Sequence, residues 1–342
     1  MWAAEKAREW YAAQPWPCGF NYVPANAISY TEMFMDYAFD EGIISKELAI
    51  AKDVGFNCIR FVLPFIVWEN EPDKFKARFN TFLEICHKNG LKAMPCLFDD
   101  CCFGDQANPV FGRQPDVIPG WYGNGWTPSP GHDMVRDVTQ HPRLESYVKD
   151  MINSFKNDPR VWVWDLYNEP TNGVGIGRYS ARLGDASLPL LKNVFLWARE
   201  INPSQPLTVG KWDWDDNGKL NEITLGCSDI ITFHSYSRAG ELKSQIESLA
   251  GYNRPIICTE WMNRGAGSTV YDCLPVLHDE NVGAMHWGMV NGKTQTHLGW
   301  GSLPGHKGSD IWQHELYRSD YTVYDAGEIT LFRELIACNG KV

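Results

Sequence analysis

The sequence predicts an α/β protein, a single (β/α)8 (TIM) barrel spanning residues 1–342, with a long loop after its third strand. Three observations carry this prediction. Short, near-continuous apolar runs recur along the whole chain, the pattern of strands buried on both faces. Amphipathic helical stretches separate them, which makes the sheet parallel. The runs number eight, the count that closes a barrel.

The strand candidates are Gly19–Val23, Asn57–Leu63, Leu91–Phe98, Val161–Tyr167, Pro206–Lys211, Asp229–His234, Pro255–Glu260 and Gly283–Gly288. The fourth (VWVWDLY) and seventh (PIICTE) show the apolar continuity most clearly. Among the helices, Leu144, Val148, Met151, Ile152 and Phe155 form one stripe, closed by Asn157-Asp158-Pro159. Leu191, Val194, Phe195 and Ala198 form another, closed by Asn202-Pro203. Gly55 and Gly90 each follow a helical run and lead into a strand, as a C-terminal glycine stop does. The opening Met1–Trp10 is polar and helical and lacks the basic-then-apolar pattern of a secretion signal. That fits a cytoplasmic protein, or a periplasmic or secreted one whose signal has been removed. An open doubly wound sheet would show a glycine-rich phosphate turn after its first strand, and GFNYVPAN is not one.

Composition narrows the function classes. A net charge of −11 argues against nucleic acid, whose phosphates need a basic face. No run of about 18 apolar residues is present to form a membrane-spanning helix. Of the ten cysteines, Cys58, Cys96 and Cys258 fall inside predicted strands, and Cys101 and Cys102 are adjacent and poorly placed to bridge each other. Free buried thiols favour a reducing compartment. Of the fifteen tryptophans, core packing accounts for many, and those next to chemical residues at strand ends call for a further role, because each suits an apolar face with a polar edge.

A barrel carries its chemistry at the C-terminal ends of its strands. The fourth predicted strand ends in Tyr167-Asn168-Glu169-Pro170 and the seventh in Cys258-Thr259-Glu260-Trp261, so two carboxylates distant in sequence share one rim. Two facing carboxylates about 5–5.5 Å apart, one protonated and one ionised, are what retaining glycoside hydrolysis requires.

These two motifs, NEP and TEW, resemble glycoside hydrolase clan A, particularly family 5 and related bacterial proteins labelled 1,4-β-xylanase. The resemblance implies a retaining hydrolase of β-glycosidic bonds in a xylan-, glucan- or mannan-type glycan. Glu169 would be its acid/base and Glu260 its nucleophile. Arg60 in NCIRF matches the arginine that supports the nucleophile, and Asn168 the asparagine that binds the sugar 2-hydroxyl. His234 and Tyr236 in ITFHSY match the clan's His-x-Tyr pair, the tyrosine holding the nucleophile and the histidine orienting polar neighbours. Trp287 in AMHWG matches the tryptophan that floors the sugar-cleaving subsite. The acid/base carboxyl is expected to be raised to roughly 6, as in other protonated catalytic carboxylates.

The third strand departs from family 5, where a histidine is usual. It ends in Phe98-Asp99-Asp100-Cys101-Cys102, which suggests a related family with a subsite built by acidic residues, Asp99 foremost. Spaced CxxC or HxxxH ligand pairs are absent around these residues and Asp105, so the cluster reads as a sugar-contacting loop rather than a metal site, and no cofactor is expected. The long loop, Asp99–Pro142, carries Trp121, Tyr122 and Trp126 among glycines and prolines. Trp126 is expected either to stack on a sugar or to form loop core. Trp300 and Trp312 are either rim residues or a cap on the last helix. The expected partner is an oligo- or polysaccharide. The competing reading is a non-catalytic carbohydrate-binding protein on the same barrel.

Overall fold

The computed structural model describes residues 1–172, 183–212 and 218–338. Nine strand segments lie in one sheet: β1 Cys18–Asn21, β2 Cys58–Val62, β3 Lys92–Cys96, β4 Trp164–Asp165, β5 Leu207–Thr208, β6 Gly210–Lys211, β7 Ile231–His234, β8 Ile256–Glu260 and β9 Gly283–Trp287. Their order is β5-β4-β3-β2-β1-β9-β8-β7-β6, and every pairing is parallel.

The two ends of that order, β5 and β6, are halves of the predicted fifth strand, divided at Val209. One half pairs with β4 and the other with β7, so the chain itself closes the ring. The nine segments thus occupy eight strand positions, and β7, β8 and β9 are the predicted sixth, seventh and eighth strands. The predicted fourth strand is regular only over Trp164–Asp165, with a lone further bridge from Val161 to Ala93.

Local sequence explains the helices that follow. Helix Glu41–Val54 starts where the Asp40 side chain accepts from the Ile43 amide and stops at Gly55, whose φ of 105° is left-handed. The two predicted stripes are buried on helices His141–Phe155 and Leu188–Ile201, the latter ended by Asn202 at φ 52°. In β1 a Cβ on Gly19 would stand 1.9 Å from the Cys58 carbonyl oxygen, so only glycine lets β1 lie against β2.

The lower barrel is filled by Cys58, Met94, Trp162, Val163, Ile257 and Met285. Helix Ala4–Ala12 covers it from below through Ala7 and Tyr11, and Trp10 stacks on Trp162 at 5.5 Å. With that end sealed, the accessible end is the C-terminal rim. All ten cysteines are free. No described helix is long and apolar enough to cross a membrane.

Candidate active site

The strands deliver the predicted residues to one rim. Register sets Asn21 on β1 beside both Arg60 on β2 and Trp287 on β9, and it sets His234 on β7 beside Glu260 on β8. Arg60 is the hub. Its guanidinium is almost wholly buried and donates to Asp165 (2.8 Å), Asn21 Oδ1 (2.7 Å), Glu260 Oε1 (2.8 Å) and Asn168 Oδ1 (2.7 Å). Burial opposes its charge, but Asp165 and Glu260 keep it firmly protonated. Tyr236 Oη donates to the other oxygen of Glu260 at 2.8 Å, so each carboxylate oxygen of Glu260 has its own donor.

Glu169 stands across from Glu260, in the left-handed region at φ 45°. Non-glycine residues hold that conformation only when their surroundings enforce it, and such strain concentrates at functional sites. His234 Nδ1 lies 2.8 Å from Glu169 Oε1. Asn172 Nδ2 donates to Oε2 at 2.6 Å, and the Cys101 thiol donates to the same oxygen at 3.0 Å. Burial pushes this carboxyl up, but His234, Cys101 and Asn172 stabilise its charged form more, and the balance falls below the ordinary glutamate value. The expected raised acid is therefore corrected for the free enzyme, and the donors are the reason.

A second correction concerns Asp99. It is fully buried and does not line the cavity. Its oxygens accept from the Cys101 amide, Asn168 Nδ2 and Trp126 Nε1 at 2.8–3.0 Å. It aims the residues around it and has no exposed atom for a sugar. Asp100 is likewise buried, accepting from Tyr167, the Thr171 amide and Ser187. Burial raises both carboxyls, Asp99 to about 6 and Asp100 to about 7. Asp99 and Asp100 are thus internal scaffolding, whereas Asp105 is exposed.

The carboxylates open into a cavity of about 370 Å³. Arg60, Asn168, Glu169, His234, Tyr236 and Glu260 line it, with Trp287 and Trp126 in its wall. Trp126 packs as loop core and also meets the cavity: it is nearly buried, edge-on to Tyr30 at 4.9 Å and 5.3 Å from Trp287. Trp300 also reaches the cavity, edge-on to Tyr236 at 4.7 Å, whereas Trp312 stacks on Tyr324 away from it.

Asn21, Cys101 and Asn172 are site residues that sequence reasoning did not single out. Asn21 alone carried a signal, a polar residue at a strand end beside the predicted arginine strand. Cys101 had been seen only as part of a cluster. Among the described residues, Glu169, His234 and Glu260 form the group whose ligand atoms could share a metal ion. Donors from Arg60, Tyr236, Asn172 and Cys101 already converge on its carboxylates, an arrangement that suits bare carboxylates in acid/base and nucleophilic roles.

Comparison with known proteins follows the same lines. The family model described as Cellulase (glycosyl hydrolase family 5) matches residues 28–301. The departure at the end of the third strand therefore lies within that family's span and does not exclude the chain from it. A probable mannan endo-1,4-beta-mannosidase C of Aspergillus terreus is 28% identical over 108 residues, 26% of this chain and 27% of that protein. The endo-beta-1,4-mannanase of Thermotoga petrophila superposes with a TM-score of 0.62 at 15% identity, over 97% of this chain and 78% of that one. The exo-beta-1,4-mannosidase Op5Man5 of Opitutaceae bacterium strain TAV5 gives 0.64 at 16% identity, over 96% and 60%. At these identities the two structures establish the shared barrel.

Proposed function

The chain belongs to glycosyl hydrolase family 5, and from that premise we propose that it hydrolyses β-linked glycans of the mannan type with retention of configuration, by double displacement. The spacing of the carboxylates carries the reading. Oxygens of Glu169 and Glu260 lie within 4.8 Å of each other. That fits the close pair of retaining enzymes, about 5–5.5 Å, better than the roughly 6.5–9.5 Å at which inverting enzymes seat a water between their carboxylates. The sugar class follows the names of the relatives, a mannosidase in sequence and a mannanase and a mannosidase in structure.

In the first step Glu260, aligned by Arg60 and Tyr236, attacks the anomeric carbon. The bond to the leaving oxygen breaks as the protonated form of Glu169, populated on the acid side of its titration, gives it a proton, and a glycosyl ester forms on Glu260. That ester removes the negative charge opposite Glu169. The donors from His234, Cys101 and Asn172 then hold Glu169 ionised, the state that takes a proton from the incoming water. Water oxygen attacks the anomeric carbon and releases Glu260. Asn168, fixed by Arg60 and Asp99, faces the cavity where a sugar 2-hydroxyl would lie, and Trp287 would support the ring. A non-catalytic binding barrel has no use for a full donor set on both carboxylates.

The test is proton NMR of the first products from an aryl β-mannoside and from manno-oligosaccharides, with xylan- and glucan-derived substrates alongside. The expected product keeps the β configuration, and an α product would exclude both glutamate roles. Glu260→Gln should lose several orders of magnitude in kcat with the fold intact.

A further inference from the structure

The loops after β1, β3 and β9 are bonded to one another beside the cavity. The loop after β3 bonds to the long segment after β9 through Gly123 N to Thr294 O (2.9 Å), Tyr122 N to Ser302 O (3.3 Å) and Gly305 N to Pro119 O (3.0 Å). Gln295 locks the seam with its side chain. Its Oε1 accepts from the Gly120 amide at 3.0 Å, and its Nε2 donates to the carbonyls of Ile118 and Trp121 at 2.8 and 3.0 Å. The segment after β9 also bonds to the loop after β1, Lys293 N to Ala25 O at 3.0 Å.

The seam has no slack. A Cβ on Gly120, at φ 85°, would stand 2.5 Å from the His306 amide nitrogen, and one on Gly292 would stand 2.3 Å from Ala25 Cα. Tyr122, Trp126 and Trp300 project from this wall into the cavity. At about 370 Å³ that cavity lies near the small end of the roughly 300–1,000 Å³ usual for small-ligand sites.

The chemistry orients a substrate against the wall. Glu169 must protonate the leaving oxygen, so the departing part of the glycan lies on the β4 side, where Trp212 after β6 also lines the cavity. The sugar that becomes bonded to Glu260 points the other way, toward β9 and β1, which stand across the ring from β4 and from the β5–β6 position. A glycan continuing in that direction would meet Trp126, which lines the cavity beside Trp287 of β9 and Tyr30 after β1, in the loop that the Gly120–Gln295 bond ties to the segment after β9.

We infer that the site is a closed-ended pocket that takes one sugar from the non-reducing end of its substrate, and that the Gln295-locked wall imposes this exo action. The inference rests on the hydrolase reading above. It is tested with hexasaccharides of β-1,4-linked mannose, glucose and xylose labelled at the reducing end, each also prepared with its non-reducing terminal O4 blocked. The expected first products are a monosaccharide and a labelled pentasaccharide, and the blocked substrate should be cut at least ~100-fold more slowly. Labelled di- or trisaccharides among the first products, or equal rates with and without the block, would overturn exo action while leaving the hydrolase reading standing. Absence of turnover on every oligosaccharide and aryl glycoside would sink both.

Discussion

In the proposed mechanism Glu169 carries the opposing demands of the two chemical steps. As acid it must hold a proton, and as base it must lose one, yet its resting environment of three donors favours the ionised form. The alkaline limb of kcat/KM should therefore lie on the acid side of an ordinary glutamate. The direction of the effect makes it testable. His234 stabilises the charge, so His234→Ala should raise the Glu169 carboxyl, keep the acid form to higher pH and move the alkaline limb upward. Cys101→Ala should move it the same way by less, because a thiol is the weaker donor. A limb that stays or moves down would show that these residues do not tune the acid. Separately, Glu169→Ala should still form the glycosyl ester from an aryl glycoside with a good leaving group but hydrolyse it slowly. Added azide should then speed turnover, and failure of azide to do so would remove Glu169 from the acid/base role.

The elements that place this residue are the loop after β3 and the turn after β4. Asp100 ties them together through Tyr167, the Thr171 amide and Ser187. Thr171 is a β-branched residue held at φ 76°, so that turn persists only while something holds it. Asp100→Ala strands three buried donors. It should cost about 2–4 kcal/mol of stability and lower kcat more than it raises KM. A change in KM alone would mean that the turn does not position Glu169. Trp126 belongs to the same loop, and its place beside Trp287 changes what its removal does. Trp126→Ala should cost about 3–5 kcal/mol of stability and weaken turnover of a short aryl glycoside as much as of an oligosaccharide. A loss confined to long substrates would assign Trp126 to a subsite beyond the cleaved sugar.

Across the whole molecule the buried ionisable groups set a pH optimum for stability. Burial raises Asp99 to about 6, Asp100 and Glu47 to about 7 and Glu315 to about 8. Each keeps in the folded state a proton that the unfolded chain loses near pH 4, so their contribution falls as pH rises through those values. Burial also lowers His286 and His314 to about 3 and His297 to about 4. Each gains a proton on unfolding below about pH 6.5, so stability falls as pH drops through that range. Below about pH 6.5 the two sets oppose each other, and above it only the acids act. The melting temperature should therefore fall steadily from about pH 6.5 to about pH 8, and Glu315→Gln should flatten the upper end of that fall. A melting temperature that is level or rising across this window would contradict the buried, protonated state of these carboxyls.

The sequence by itself determined the barrel, its eight strand positions and the rim on which Glu169 and Glu260 meet. Apolar continuity and strand ends are local properties, and parallel strands in a ring leave their C-terminal residues nowhere else to go. The motif resemblance to clan A added Arg60, Asn168, His234, Tyr236 and Trp287, and all five line the cavity at that rim. The aperiodic segments were decided only by tertiary structure. Nothing in the run Phe98–Cys102 announces that Asp99 and Asp100 turn inward while Cys101 faces Glu169. Nothing near Gly299 announces that Trp300 reaches Tyr236. The division of the fifth strand at Val209, and the wall where Gly120, Gln295 and Ala25 converge, follow from the same cause. In a loop with no repeating period, the direction of a side chain is set by the distant backbone it packs against and bonds to, and that backbone is placed only when the ring closes.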